Sequence, residues 1–241
     1  MLVYEPVPTA SGSSFTITNS GGMYTDGLEA SVNARIINKT FKWDLGFNFA
    51  KALSKVDHLP VDKITTTFSG ATYITQVDKG PNRFYGYKTN GVFVSDAVAA
   101  QENLSLRKAD GTLVPFRGGD IRFADINHDN IIDENDRQVI GNPKPDLWGA
   151  ISSKLVYKRF SLDVLCTFMQ GNDVFNYTRS QLEAESNYYN QTKAILNRWQ
   201  TNGDVTVIPK ATWGDPMGNS RFSDRWIEDG SYIRLRTATL S

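Results

Sequence analysis

"LEASVNARI" (Leu28–Ile36) is followed, across the short turn Asn38–Thr40, by "FKWDLGFNF" (Phe41–Phe49). In the first segment Leu28, Ala30, Val32, Ala34 and Ile36 alternate with Glu29, Ser31, Asn33 and Arg35. In the second, Phe41, Trp43, Leu45, Phe47 and Phe49 alternate with Lys42, Asp44, Gly46 and Asn48. Side chains of a strand point to opposite faces in turn, so each segment predicts a strand with one apolar and one polar face. The short turn joins them as a hairpin with matched faces.

The pattern returns downstream. "WGAISSKLVY" (Trp148–Tyr157) predicts a looser strand, Lys158 and Arg159 a tight turn, and "FSLDVLCTF" (Phe160–Phe168) a partner with Phe160, Leu162, Val164, Cys166 and Phe168 on one face. At the end of the chain, Ile233 and Leu235 alternate with Arg234 and Arg236. The expectation is five long strands. Alternation alone leaves two readings open: a soluble sandwich whose apolar face is a core, and a membrane barrel whose apolar face meets lipid.

Three features favour the barrel. The strands are long enough for a membrane crossing. Their apolar faces begin and end in aromatics, with Phe41 and Trp43 against Phe49, and Phe160 against Phe168. At a rise of about 3.3 Å per residue, Phe41 and Phe49 stand about 26 Å apart, close to the apolar band of a barrel wall. Turns are short at one end, whereas the connections at the other, 54–147 and 170–229, are far longer than a compact soluble domain usually carries. The predicted organisation is a hairpin at 27–53, an outer loop at 54–147, a hairpin at 148–169, an outer loop at 170–229 and a strand at 230–241. Within the second loop, "RSQLEAESNYYNQTKAILNRW" (Arg179–Trp199) predicts one or two short amphipathic helices, with Ala194, Ile195 and Trp199 near helical spacing. Tyr188, Tyr189, Trp199 and Trp213 could pack locally, stack on sugars or dock a partner.

Composition narrows the chemistry. A soluble chain of 241 residues would form one large domain or two small ones. The formal charge of zero argues against nucleic acid as a partner. Cys166 stands alone, which rules out an internal disulfide. No apolar run approaches the roughly 18 residues of a membrane helix. "MLVYEPVPTASGSS" (Met1–Ser14) lacks the basic start and apolar core of a secretory signal. His58 and His128 have no nucleophile in a recognisable setting, and there is no phosphate-binding glycine loop, so no enzyme is expected.

"DINHDNIIDEND" (Asp125–Asp136) is the densest group of carboxylates. Asp125, Asn127, Asp129, Asp133 and Asp136 fall at positions 1, 3, 5, 9 and 12 of the stretch, and Ile131 at position 7 would offer its carbonyl. This is the spacing of the EF-hand calcium loop, whose oxygen donors suit a hard cation. Ile132 at position 8 would pin the loop to its base. Asn130 replaces the usual glycine but tolerates left-handed backbone, and Asp136 is a shorter arm than the usual glutamate. Gly141, Pro143 and Pro145 leave no room for a long exiting helix. The expected role of calcium is to staple an outer loop. The competing reading is a metal-free acidic turn held by Asx hydrogen bonds, with Arg122 and Arg137 neutralising it.

Four segments together carry a family resemblance: "GGMYTDGLEASVN" (Gly21–Asn33), "RFYGYKTNGVF" (Arg83–Phe93), "GDIRFADINHDNIIDENDRQVIGNPKPDLWGAI" (Gly119–Ile151) and "IEDGSYIRLRTATLS" (Ile227–Ser241). In this order they resemble the C-terminal half of SusC/RagA-type TonB-dependent outer-membrane transporters. The resemblance implies an all-β fold: the C-terminal part of a large antiparallel transmembrane β-barrel of about 22 strands, with long extracellular loops containing short helices. It implies import of glycans or peptides across the outer membrane, an N-terminal plug, a SusD-like lipoprotein on the outer face, and energy from the TonB complex. With about five strands, too few to close a barrel, and no plug, the chain is expected to be a fragment that contacts outer-membrane lipid and transports nothing alone. The alternative is a secreted, soluble, calcium-stapled β-domain that binds glycan or protein. A dockerin-like module would need two such loops.

Overall fold

The computed structural model describes residues 3–6, 12 and 15–241. Most of the stretch read for a secretory signal, Met1–Ser14, lies outside these residues. Among the described residues the architecture is largely antiparallel β with two short α-helices, and no helix is long and apolar enough to cross a membrane.

Five strands form one sheet: Gly22–Asn38, Phe41–His58, Leu147–Tyr157, Phe160–Gln170 and Tyr232–Leu240. Their order in the sheet is their order in the chain. Every neighbouring pair is antiparallel, so the sheet is an up-and-down wall whose first and fifth strands are its edges. The short turns lie at one end and the long connections at the other.

The register aligns the apolar positions into rows. One runs Val32, Phe47, Ile151, Cys166, Leu235, and the next Ala30, Phe49, Gly149, Phe168, Ile233. Gly149 is required there, because a Cβ would strike the Asn48 carbonyl and come within 2.7 Å of the Phe168 ring. Phe47 and Phe168 stack across the strands at 6.2 Å. These rows are not a core. Ile233 is 84% and Leu235 61% exposed, and Leu28, Val32 and Phe160 are exposed as well. A soluble sandwich would have covered them.

Two details depart from the simple alternation. In the first strand a bulge after Arg35 makes Ile37, rather than Ile36, the partner of Trp43. In the fifth, a bulge opposite Leu165–Cys166 shifts the phase, so that Ala238 and Leu240 rejoin the apolar rows beside Val164 and Leu162. A bulge adds one unpaired residue and so moves every later side chain to the other face, which a fixed period of two does not anticipate. The first hairpin is also longer than its apolar alternation, at 17 and 18 residues. Its extension carries polar pairs such as Thr25 with Ser54, whose hydroxyls are 2.7 Å apart.

The core of the molecule lies in the long connections. Tyr87, Phe93, Leu106, Phe116, Ile121 and Phe123 pack together with Ile132 and Met217, and Trp199 lies against them. Met217 and Trp199 come from the second connection and the others from the first, so the two loops fold into one body. Short sheets frame it: a four-stranded one of Lys63–Phe68, Ala71–Gln76, Arg83–Gly86 and Gln138–Gly141, and smaller ones around Ser105–Arg107 and Thr89–Val92. Helix α1 (Asp96–Glu102) is capped by the Ser95 hydroxyl, and α2 (Tyr177–Leu182) by Asn176. Helix α2 and the 3-10 turn Lys193–Asn197 are the short helices expected of the second loop.

Candidate functional site

Two polar features stand out, one on the wall and one in the loop body. On the wall's polar face the register places Arg35, Asp44, Lys154 and Asp163 side by side across four strands. Charge alternates along this row. Arg35 Nε meets Asp44 Oδ1 at 2.7 Å, and Lys154 Nζ meets Asp163 Oδ1 at 3.4 Å. Opposite charges on directly opposed cross-strand positions favour this register over a slipped one. The row borders a hollow of about 730 Å³ on that face.

In the loop body, Asp125–Asp136 forms a tight turn. Asp125 accepts hydrogen bonds from the backbone N–H of Asp129 (3.3 Å) and of Asn130 (2.8 Å). Asn127 Oδ1 accepts from Asp129 N, and Asp129 Oδ1 from Ile131 N. Asp136 closes the turn by accepting from Ile126 N and Asp133 N, both at 2.8 Å. His128 and Asn130 adopt left-handed backbone, with φ of 60° and 62°. Asn130 therefore takes the conformation that the glycine position demands. Ile132 is fully buried in the core, and Ile131–Ile132 pairs in parallel with Ser105–Leu106, which anchors the turn to the body. The chain exits through a single 3-10 turn, Glu134–Asp136.

The charge environment differs from the one the metal-free reading would give. Arg122 pairs with Glu102 and Arg137 with Glu134, so neither neutralises the aspartates. The cation that does is Arg107, whose Nε donates to Asp133 Oδ2 at 3.1 Å. It arrives from a strand 26 residues upstream, beyond any local pattern. The backbone N–H of Asn135 and the Arg107 guanidinium together hold Asp133 below the ordinary carboxylate range. Asp136 goes the other way. Burial pushes its carboxyl up against the two backbone N–H bonds it accepts, and the charges of Asp125 and Asp133 add to the rise.

Side chains and the Ile131 carbonyl offer only oxygen donors, the class calcium prefers. The aspartates are committed to backbone N–H groups, and among the described residues no three His, Cys, Asp or Glu side chains gather closely enough to hold a metal. The chemistry of the donors suits calcium, and their hydrogen bonds suffice to shape the turn.

No family profile matches the chain. Curated relatives do. It is 30% identical to "TonB-dependent receptor P3" of Formosa agariphila over 98% of its own length and 23% of the relative's. It is 27% identical to "TonB-dependent receptor P39" of the same organism over 100% of its length and 26% of the relative's. The chain thus spans about a quarter of the length of the curated relatives it matches. Among solved structures, the RagAB peptide transporter superposes with a TM-score of 0.74 at 23% identity, covering 100% of this chain and 25% of that one. The RagAB peptide importer in its "closed-closed" state gives 0.72 at 22%, again over 100% of this chain and 25% of that one. By sequence the chain is related along its whole length to TonB-dependent receptors, and its fold is that of a segment of the SusC/RagA-type β-barrel.

Proposed function

We propose that this chain forms part of the wall and outer loops of an outer-membrane transporter that imports glycans or peptides with energy from the TonB complex. The observation that carries the reading is the five-stranded wall. One face exposes continuous apolar rows, the other carries polar and charged side chains, and both edges are open for further strands. Such a sheet is unstable in water as a free surface and suits a wall between lipid and lumen. The resemblance to SusC/RagA-type transporters adds a SusD-like lipoprotein as the partner at the outer face, over the body built from the two long connections. Its role there is recognition and transport, with no catalytic step. The relatives it matches are receptors and transporters.

In this reading Asp125, Asn127, Asp129, Ile131, Asp133 and Asp136 hold a calcium ion that staples the loop body. Support comes from the ligand spacing, the oxygen-only donors and the left-handed Asn130. The ion would supply charge neutralisation and rigidity. The test of the transporter reading is membrane fractionation, followed by protease treatment of intact cells. The protein should follow the outer membrane and be cut from outside within 59–146 or 171–231. Recovery as a soluble protein would overturn it.

A further inference from the structure

The second connection contains two buried ionic groups that face each other without bonding. Glu185 is 5% exposed, and its backbone is left-handed, with φ of 54°. Neither of its carboxylate oxygens meets a protein donor. Arg225 is the opposite charge that acts on it most strongly, and both of its Nη atoms are buried without a protein acceptor. Its guanidinium lies instead over the Trp226 ring, 4.3 Å from the centroid. The neighbouring Arg179 shows what a satisfied arginine looks like in the same place. It donates to Glu183 at 3.2 Å, to Glu228 at 2.5 Å and to the Arg225 carbonyl at 2.6 Å.

The backbone of Glu185 is tied to an exposed aromatic platform. The Glu185 carbonyl accepts from Thr212 N at 3.1 Å, and the Ser186 carbonyl from Gly214 N at 2.9 Å. These two bonds clip together the segments that carry Tyr188 and Trp213. Tyr188 is 90% exposed, and the two rings stack at 4.5 Å. The backbone of Glu185 therefore belongs to the clip, and its side chain to the buried pair.

We propose that Glu185 and Arg225 form a proton-operated latch tied to the Tyr188–Trp213 platform, closed when Glu185 is neutral and loosened when it ionises. A neutral carboxyl is buried here at lower cost than a carboxylate, which with no hydrogen-bond donor gains by opening to water. The groups facing Glu185 are Arg225 and Arg198, which favour its ionisation, and Glu183, which opposes it. Arg225 also senses Glu183, Arg179 and Asp215. Burial outweighs the two arginines and pushes the Glu185 carboxyl up to about 7. Arg225 is pulled down by burial to about 10 and so remains cationic at neutral pH.

The sign follows. A carboxyl raised in the closed state stabilises that state fully below its ordinary value of 4.5, and the stabilisation is lost as pH rises through about 7. Hydrogen exchange at the Thr212 and Gly214 amides, measured on the intact protein in detergent and corrected for intrinsic exchange, reads the latch directly. Between pH 6 and pH 8 their protection should fall by about tenfold in the wild type and stay level in Glu185→Gln. The same pH dependence in both proteins overturns the latch. If Glu185→Gln does not fold, Arg198→Gln serves instead. Removing that cation should move the wild-type transition to higher pH, and an unmoved transition overturns the proposal equally.

Discussion

The wall and the loop body use the same apolar side chains in opposite ways. In the wall, Leu28, Val32, Phe160, Ile233 and Leu235 stand exposed in rows, held in register by backbone pairing. In the loop body, Phe93, Phe123, Ile132 and Trp226 are almost wholly enclosed by protein. The wall's order is carried by its hydrogen-bond ladder, and its apolar surface is left uncovered by protein. The loop body's order comes from close packing and from water excluded by its own residues. Apolar content says how much surface must leave water, and topology says what covers it.

That contrast can be broken most sharply at Trp226. It is fully buried, its indole N–H donates to the carbonyls of Ser220 (3.2 Å) and Arg221 (3.1 Å), and Arg179 and Arg225 lie over its ring. Trp226→Ala should destabilise the loop body by about 3–5 kcal/mol. Proteolysis of 171–231 should then rise while the wall strands stay protected. If the wall is lost at the same time, the two regions do not fold separately.

The wall makes the converse prediction. Val32, on the first strand, begins the row that continues through Phe47, Ile151 and Cys166. Val32→Arg should cost about 2–4 kcal/mol when the protein is folded into a bilayer. An unchanged unfolding midpoint in lipid would mean that this face does not meet hydrocarbon.

A smaller effect is expected at the acidic turn. Asp125→Ala combined with Asp129→Ala removes four of the hydrogen bonds that shape it and two of the proposed calcium ligands. Cleavage within 118–142 should increase several-fold. In the wild type a chelator should reproduce part of that increase. Equal protease resistance of wild type and variant, with and without chelator, would sink the calcium staple.

The smallest effect concerns Glu228, which joins Asn176 and Arg179 at the edge of the loop body. Its carboxyl is held below the ordinary value of 4.5, chiefly by the Arg179 hydrogen bond. Its contribution is therefore present above pH 4.5 and lost as pH falls through the depressed value. Glu228→Gln should cost under about 1 kcal/mol at neutral pH, because the pair is solvent-screened. The difference from wild type should vanish in acid, and a difference that persists there would point to packing instead of charge.

Much of this was legible beforehand, but unevenly. The wall strands around Leu28–Phe49 and Trp148–Phe168 announce themselves because each residue's face follows from its parity. Ile37 and Ala238 escape that rule, since a bulge changes parity without leaving a mark in the composition. The turn at Asp125–Asp136 is legible for the opposite reason: its hydrogen bonds are local, so spacing and geometry coincide. Its Arg107 partner is not local and could not be read. The loop core was harder still. Phe93, Phe116, Phe123 and Met217 lie in short or irregular segments, where no period marks the buried side.

By itself the sequence determined the five wall strands, the faces of their residues up to each bulge, the short turns between them and the acidic turn, all of which depend on near neighbours along the chain. The tertiary structure decided which residues lie beneath protein and which face outward. It joined two distant connections into one core, set Arg225 opposite Glu185, and left the wall's apolar rows uncovered. These are long-range outcomes, fixed by which surfaces meet once the backbone hydrogen bonds are made, and alternation reads the same whether protein or lipid lies on the other side.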